Sequence, residues 1–322
     1  MDGILARDEI LARDGILARD GILARDATVL DSEAGARASM AATRPARVIV
    51  FDSGLGGLTV LRDIRARRPD VAALYVADDA AFPYGPKPEA TVVARVLEVM
   101  EAAIGATAPD AGVIACNTAS TLVLGPLRAR WPAIPFVGTV PAVKPAAAAS
   151  TSGLISVLAT PGTVSRDYTR KLIDDFAGRC AVTLVGATRL AGLAEDAMRG
   201  RSVSDAEILA EIAPCFVEKD GRRTDVVALA CTHYPLLIDA CRRLAPWPVT
   251  WIDPAPAIAR RLDSVLGERG LTRRAGCGEG RYAFTSGREA EAGLARWLAG
   301  LALAPAELKA AELKAAVSSG RL

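Results

Sequence analysis

ARVIVFDSGLGGL, residues 46–58, decides the fold more directly than any other stretch, because it predicts a buried strand that turns into a helix. Its β-branched apolar run ends at Asp52, and such continuous runs are typical of parallel strands covered on both faces. Similar runs occur at 73–78, 111–117, 135–139, 154–160, 181–187, 225–232 and 249–253. Helical patterns lie between most of them, at 57–68, 89–106, 163–176, 190–199 and 204–219. This alternation predicts an α/β fold of mainly parallel sheets with right-handed crossovers.

The arrangement of these strands is left open, since they fit one sheet or two. The segment GTVPAVKPAAAA at 138–149 is rich in Pro and Ala and is the best candidate for a hinge between two halves. Residues 304–322 contain strong helix formers followed by a polar end, which predicts an appended helix with a frayed tail.

The first 26 residues contain four copies of a six-residue repeat, GILARD, EILARD, GILARD and GILARD. Six residues of α-helix turn through about 600°, so successive Ile-Leu pairs face different directions and no apolar stripe forms. We therefore expect residues 1–45 to be a low-complexity extension, disordered or loosely helical, outside the main fold. Met40 is a candidate for the true start of the chain.

Charge and composition argue against several classes of function. The net charge is +2 and the pI is near 8.2, which lacks the basic footprint of a nucleic-acid-binding protein. No apolar run approaches the roughly 20 residues that span a bilayer. Arg and Asp interrupt the N-terminal segment too often for a signal peptide. We expect a cytoplasmic protein without membrane or nucleic-acid partners.

The six cysteines are too few for a disulfide scaffold, and none forms a CxxC pair. They are Cys116, Cys180, Cys215, Cys231, Cys241 and Cys277. Free cysteines are usually buried and act as small hydrophobes, so only the local sequence identifies a reactive one.

The glycine-rich turn Asp52-Ser53-Gly54-Leu55-Gly56-Gly57 follows the first strand. Its glycines are expected to expose backbone N–H groups at a helix start, where an anionic group is favoured. The spacing is GxGG rather than the GxGxxG of dinucleotide-binding turns. A plain strand-to-helix turn is the alternative interpretation.

Two cysteine segments match each other closely. Cys116 follows the strand GVIA and precedes Asn-Thr-Ala-Ser, while Cys231 follows VVALA and precedes Thr-His-Tyr-Pro. Helix N-termini lower thiol pKa values, which gives both cysteines a reason to be reactive. The alternative is two buried cysteines that happen to end strands.

His233 is the only histidine in the chain and lies two residues after Cys231. No metal-ligand spacing is present, and a Cys-His-Asn hydrolase would leave the second cysteine without a role. Two thiols suit racemisation, because one removes the α-proton from one face of a carbon while the other returns a proton to the opposite face.

These segments resemble the glutamate racemases of bacterial cell-wall synthesis over roughly residues 46–290. The matching motifs, in order, are DSGLGGL (52–58), PYG (83–85), CNTAS (116–120), GTVPAVKPA (138–146), ATPGTV (159–164), ACTHYPLL (230–237) and, more weakly, FTSG (284–287). The resemblance implies two similar α/β domains with the active site in the cleft between them. The first domain would be 46–144 plus 251–300, the second an insertion at 145–250, and the remainder a C-terminal helix or tail at 301–322.

The resemblance also implies roles for particular residues. Cys116 and Cys231 would be the acid/base thiols, the first assisted by Asp52 and Ser53 and the second by His233. Asp52 and Ser53 would hold the substrate amino group. The remaining implied residues are Asn117, Thr118 and Thr232 at the α-carboxylate, backbone groups of Tyr84 and Gly85 at the side-chain carboxylate, and Glu195, a looser match, beside His233.

Neither pyridoxal phosphate nor any other cofactor or metal is implied, and the expected substrate is glutamate, converted to D-glutamate for peptidoglycan. The family also implies a homo-oligomer, expected to be a dimer, and suggests DNA gyrase as a candidate partner. Three other interpretations compete: an aspartate or hydantoin racemase, a non-enzymatic regulator, and a dinucleotide-dependent oxidoreductase.

Overall fold

The computed structural model describes residues 44–308 and contains two parallel sheets flanked by helices. The strands are β1 (Arg47–Asp52), β2 (Ala72–Ala77), β3 (Ala111–Ile114), β4 (Phe136–Gly138), β5 (Leu154–Ala159), β6 (Ala181–Gly186), β7 (Glu218–Lys219), β8 (Arg222–Arg223), β9 (Val226–Ala230), β10 (Thr250–Ile252), β11 (Gly280–Phe284) and β12 (Leu303–Pro305). The α-helices are Gly57–Arg67, Glu89–Thr107, Asn117–Arg130, Val143–Ala149, Pro161–Val164, Asp167–Phe176, Leu190–Arg199, Asp205–Ile212, Ile238–Leu244, Ala255–Glu268 and Ala292–Gly300. Short 3₁₀ helices occupy Asp79–Ala81, Ala213–Cys215 and Tyr234–Leu237. The hexapeptide repeat, Met40 and the end of the predicted tail lie outside the described residues.

The first sheet has six parallel strands in the order β12-β11-β2-β1-β3-β4. Strand β1 is central and buried from Val48 onward, as its continuous apolar sequence predicts. Because the strands run in the same direction, β1, β2 and β3 end at one edge. Asp52, Asp78 and Cys116 therefore all lie along that edge.

The second sheet has four parallel strands in the order β10-β9-β5-β6. Strands β5 and β9 are buried along their whole length. Thr160 follows β5 and Cys231 follows β9, so these residues lie along the carboxyl edge of the second sheet. All eight predicted strands are present, and the predicted class of α/β fold with parallel sheets is confirmed.

The segment 138–149, predicted as a hinge, joins β4 of the first sheet to β5 of the second. Its second half is the helix Val143–Ala149, whose Val143 and Ala146 are buried against the second sheet. Strand β10 extends the second sheet to Ile252. The domain bounds given above remain predictions.

Three predicted helices differ from the structure. The helix predicted at 204–219 ends at Ile212, because Pro214 lacks the N–H that a longer helix requires, and β7 follows. The helix predicted at 163–176 is broken at Arg166, whose backbone is extended at ψ 139°. The helix predicted from 304 is wrong at its start, where Leu303–Pro305 pairs with β11 at the edge of the first sheet.

No helix within residues 44–308 combines the length and the apolar character that crossing a membrane requires.

Candidate active site

The carboxyl edges of the two sheets contribute to one small cavity, with about 20 Å³ of space for water. Its lining residues are Ser53, Phe82, Pro83, Tyr84, Gly85, Cys116, Asn117, Thr118, Thr160, Ala191, Cys231, Thr232 and His233. Cys116 and Cys231 thus face a shared cavity, and each is only 6% exposed. The other four cysteines do not line it.

Cys116 occupies the N-cap of the helix Asn117–Arg130. Its Sγ accepts a hydrogen bond from the Ala119 N–H at 3.5 Å and lies 3.4 Å from Ser53 Oγ. Burial, reinforced by the nearby Asp52 carboxylate, raises the pKa of the Cys116 thiol to about 12 although both hydrogen bonds lower it. The expectation of a lowered pKa at this helix start is therefore wrong, because desolvation outweighs the helix terminus.

Cys231 lies in a different environment. Its Sγ is 3.7 Å from His233 Nδ1, and His233 Nε2 is 3.1 Å from Glu195 Oε1. Burial lowers the pKa of His233, but the hydrogen bonds and charges of Cys231 and Glu195 dominate and raise that pKa well above its usual range. The imidazole nitrogen nearest Cys231 can therefore exchange a proton with that thiol.

Glu195 completes this chain of contacts. Burial raises the pKa of its carboxyl, but hydrogen bonds from His233, the Leu55 N–H at 2.8 Å and Arg199 at 3.2 Å lower it overall. The anionic group predicted to bind the glycine-rich turn is thus a side chain from the second half of the chain.

The glycines of the turn permit close approach between the two halves. A Cβ at Gly56 would lie 2.6 Å from both His233 Nδ1 and Thr232 Oγ1, and a Cβ at Gly54 would overlap Glu195 Oε1. The sequence indicated an anion site here. The structure shows that glycine is required mainly because any side chain at these positions would collide with Glu195, His233 or Thr232.

Asp52 is fully buried at the end of β1. Its carboxylate accepts hydrogen bonds from the Gly54 N–H at 2.9 Å and from Thr232 Oγ1 at 2.9 Å. Burial raises the pKa of Asp52 to about 6, against the lowering effects of His233 and both hydrogen bonds. The Thr232 hydroxyl, predicted to contact the substrate, is therefore engaged with Asp52.

One unpaired amide donor and a cluster of hydroxyls also belong to the site. Asn117 Nδ2 is buried and has no hydrogen-bond partner within residues 44–308. Thr118 Oγ1 lies 3.2 Å from both Thr160 Oγ1 and Thr163 Oγ1. An unpaired buried amide is costly unless a ligand satisfies it, so these groups suit an anion.

The loop of residues 83–85 forms another side of the cavity. Among the described residues, the backbone N–H groups of Tyr84 and Gly85 have no acceptor, so they are available to a second anionic group. The Phe82 ring lies 5.3 Å from the His233 ring and helps to cover the cavity.

The structure brings all the predicted site residues together. Asp52 and Glu195 do not line the cavity themselves, but they contact residues that do. Phe82, Pro83, Thr160 and Ala191 were missed, although Thr160 lies in the quoted ATPGTV motif directly after β5, a position that could have identified it. No group of three or more His, Cys, Asp or Glu residues within the described chain is arranged to hold a metal ion.

Two parallel sheets, each with a cysteine at its carboxyl edge, define the class: an α/β protein with two thiols lining one cavity. The family model for Asp/Glu/hydantoin racemases matches residues 59–262. The chain is 58% identical over 234 residues to the glutamate racemase of Brucella canis, covering 73% of this chain and 84% of that protein.

Solved structures agree with this match. Escherichia coli glutamate racemase, in complex with L-glutamate and the activator UDP-MurNAc-Ala, is similar with a TM-score of 0.73 and 35% identity, covering 81% of this chain and 97% of that one. Glutamate racemase isoform RacE1 of Bacillus anthracis has a TM-score of 0.69 and 26% identity, covering 82% and 98%. The chain belongs to the Asp/Glu/hydantoin racemase family. It is an amino-acid racemase, an isomerase.

Proposed function

We propose that this racemase interconverts L- and D-glutamate without a cofactor, using Cys116 and Cys231 as alternating base and acid, and that it supplies D-glutamate for peptidoglycan. The observation that carries the proposal is that both thiols line one cavity between the carboxyl edges of two sheets. In each direction one thiolate takes the α-proton, and the other thiol protonates the opposite face of the carbanion.

The two thiols are activated by different neighbours. At Cys231, the neighbouring His233, held by Glu195, exchanges a proton with the thiol. At Cys116, the charge of Asp52 contributes to the high pKa of the thiol. A substrate ammonium beside Asp52 would neutralise that charge and lower the Cys116 pKa, so binding itself would favour proton transfer.

Both carboxylates of glutamate find donors in the cavity. The unpaired Asn117 Nδ2 and the Thr118 hydroxyl suit the α-carboxylate, where negative charge develops as the α-proton leaves. The free N–H groups of Tyr84 and Gly85 suit the side-chain carboxylate.

Aspartate is the competing substrate. A side-by-side assay of L-Glu and L-Asp would reject our choice if aspartate turned over faster. The homo-oligomer and the gyrase partner stay predictions.

Racemisation of L-glutamate in heavy water tests the mechanism. At early times, deuterium is expected at the α-carbon of the D-glutamate formed, while the recovered L-glutamate keeps its protium, because the abstracted proton stays with the thiol on its own side. Mass spectrometry after chromatographic separation of the enantiomers measures both. Equal deuteration of product and recovered substrate would indicate a single base and contradict the proposal.

The pH dependence of the reaction should report the charge on Asp52. With a pKa of about 6, its carboxylate is lost as the pH falls through 6, and kcat/KM for glutamate is expected to fall about tenfold per pH unit below that value. Asp52→Asn should lower kcat/KM at neutral pH and abolish the acidic limb. Asp70→Asn, a buried carboxylate paired with Arg68 away from the cavity, is the control and should keep the limb.

A further inference from the structure

We propose that Arg95 is a positioning residue, which acts through Asp78 and Tyr84 to fix the loop of residues 83–85 at the distance from the thiols that suits glutamate. The inference rests on the proposed function, because it takes this loop as the binding site of the side-chain carboxylate. Arg95 lies on the helix Glu89–Thr107 and does not line the cavity.

The first contact is a buried fork between Arg95 and Asp78. Arg95 Nη2 donates to Asp78 Oδ1 at 2.8 Å, and Arg95 Nε donates to Asp78 Oδ2 at 3.0 Å. The Arg95 side chain is 5% exposed and that of Asp78 is 0% exposed. A two-pronged pair of this kind holds the carboxylate in one orientation.

The oriented carboxylate then holds two more elements. The Tyr84 hydroxyl donates to Asp78 Oδ2 at 2.6 Å, and the Thr285 hydroxyl donates to Asp78 Oδ1 at 2.6 Å. Thr285 follows β11 and belongs to the FTSG motif, for which the proposed reaction gives no role. Asp78 thus joins the ends of β2 and β11 to the cavity loop.

The second half of the chain confines the loop from the other side. A Cβ at Gly85 would lie 3.4 Å from Thr160 Cβ, and a Cβ at Gly162 would overlap the Gly85 carbonyl oxygen. The loop therefore has little room to move while Tyr84 is held by Asp78. If that hold is weakened, the N–H groups of Tyr84 and Gly85 shift relative to the thiols, and a carboxylate at a fixed distance from the α-carbon binds less well.

A role in proton transfer is a poorer explanation of the same contacts. Both oxygens of Asp78 already accept short hydrogen bonds. Burial and the adjacent Asp78 raise the pKa of Tyr84 well above its usual range, which keeps the phenol protonated as a donor.

Arg95→Lys tests the proposal, because lysine keeps the charge but cannot form the fork. We expect KM for L-glutamate to rise about tenfold, the effect of losing one hydrogen bond to a charged group. We expect kcat to change by less than about threefold, because the thiols are not altered. The selectivity for glutamate over aspartate, measured as the ratio of kcat/KM values, should fall in parallel.

Arg68→Lys is the matched control. Arg68 forms a fork with Asp70 at 2.8 and 2.9 Å, and both side chains are 2% exposed, yet the pair lies outside the cavity. Both variants should lower the melting temperature to a similar extent, but only Arg95→Lys should raise KM. An equal change in KM for the two variants would reduce Arg95 to a structural role and overturn the proposal.

The route through Tyr84 is tested by a double-mutant cycle. Tyr84→Phe removes the donor to Asp78, so the KM effects of Tyr84→Phe and Arg95→Lys should be clearly less than additive. Additive effects would overturn the proposed route.

A second variant serves if Arg95→Lys fails to fold. Thr285→Val removes another donor to Asp78 and should raise KM about threefold; an unchanged KM would then refute the proposal. A wild-type protein that does not racemise glutamate would instead refute the proposed function.

Discussion

Replacing Cys116 or Cys231 by serine is expected to lower kcat for glutamate racemisation by about 10³-fold in either case. Serine preserves the shape of the side chain, but its hydroxyl is a far weaker acid than a thiol and cannot serve as base. Because one sulfur must accept a proton while the other donates one, loss of either stops both directions. Circular dichroism of the glutamate solution follows the reaction directly.

Cys180→Ser is the control for these variants. Cys180 is half-buried, lies directly before β6 at the edge of the second sheet, and does not line the cavity. Its replacement should leave kcat within about twofold of wild type, because Cys180 contacts neither the cavity nor the residues that hold the two thiols. A near-normal rate in Cys116→Ser or Cys231→Ser would refute the two-thiol assignment.

The two thiols are alike in the sequence but not in their surroundings. Cys116 faces Ser53 and the nearby charge of Asp52, whereas Cys231 faces His233, which in turn contacts Glu195. In the proposed mechanism, the thiol that acts as base in one direction therefore has different neighbours from the thiol that acts as base in the other. Two of these contacts join residues far apart in the chain, 63 residues for Ser53 with Cys116 and 38 for Glu195 with His233, and no local pattern contains them.

The sequence predicted the fold where burial alone determines a strand. Strands β1, β5 and β9 are buried on both faces, so their continuous apolar runs were diagnostic. Strands β11 and β12 were missed because they lie toward the edge of the first sheet and carry exposed residues. Their pairing is a property of the assembled sheet, and at Leu303–Pro305 it prevails over local helix propensity.

The candidate site was predictable in its composition and not in its electrostatics. The position of Cys116 after a strand and before a helix was correctly identified from sequence. Its raised pKa was not predicted, because desolvation of the thiol depends on residues such as Tyr84 that pack around it only in the folded chain. The glycines after Asp52 were likewise noticed, but their partner could not be inferred from their spacing.

Gly56→Ala is the second substitution with a large expected effect, and it tests whether close approach at this turn sets the geometry of the site. The backbone of Gly56 is in the ordinary right-handed helical region, at φ −58° and ψ −35°, so alanine is tolerated by the backbone itself. The added methyl group would lie 2.6 Å from His233 Nδ1 and 2.7 Å from the His233 backbone nitrogen. His233 must therefore move, and Cys231 loses its partner.

Moving His233 by about 1 Å is expected to lower kcat/KM for glutamate by about 10²-fold. The overpacking at Gly56 should also lower the free energy of unfolding by about 1–3 kcal/mol. Gly105→Ala is the control, because no atom lies within 4 Å of a Cβ at Gly105. Alanine within the helix Glu89–Thr107 should instead stabilise the protein by about 1 kcal/mol and leave kcat/KM unchanged. Thermal unfolding and steady-state kinetics of both variants separate the two effects. If Gly56→Ala keeps wild-type kcat/KM, the imidazole has room to adapt, and the contact between the glycine turn and His233 does not control the position of the second thiol.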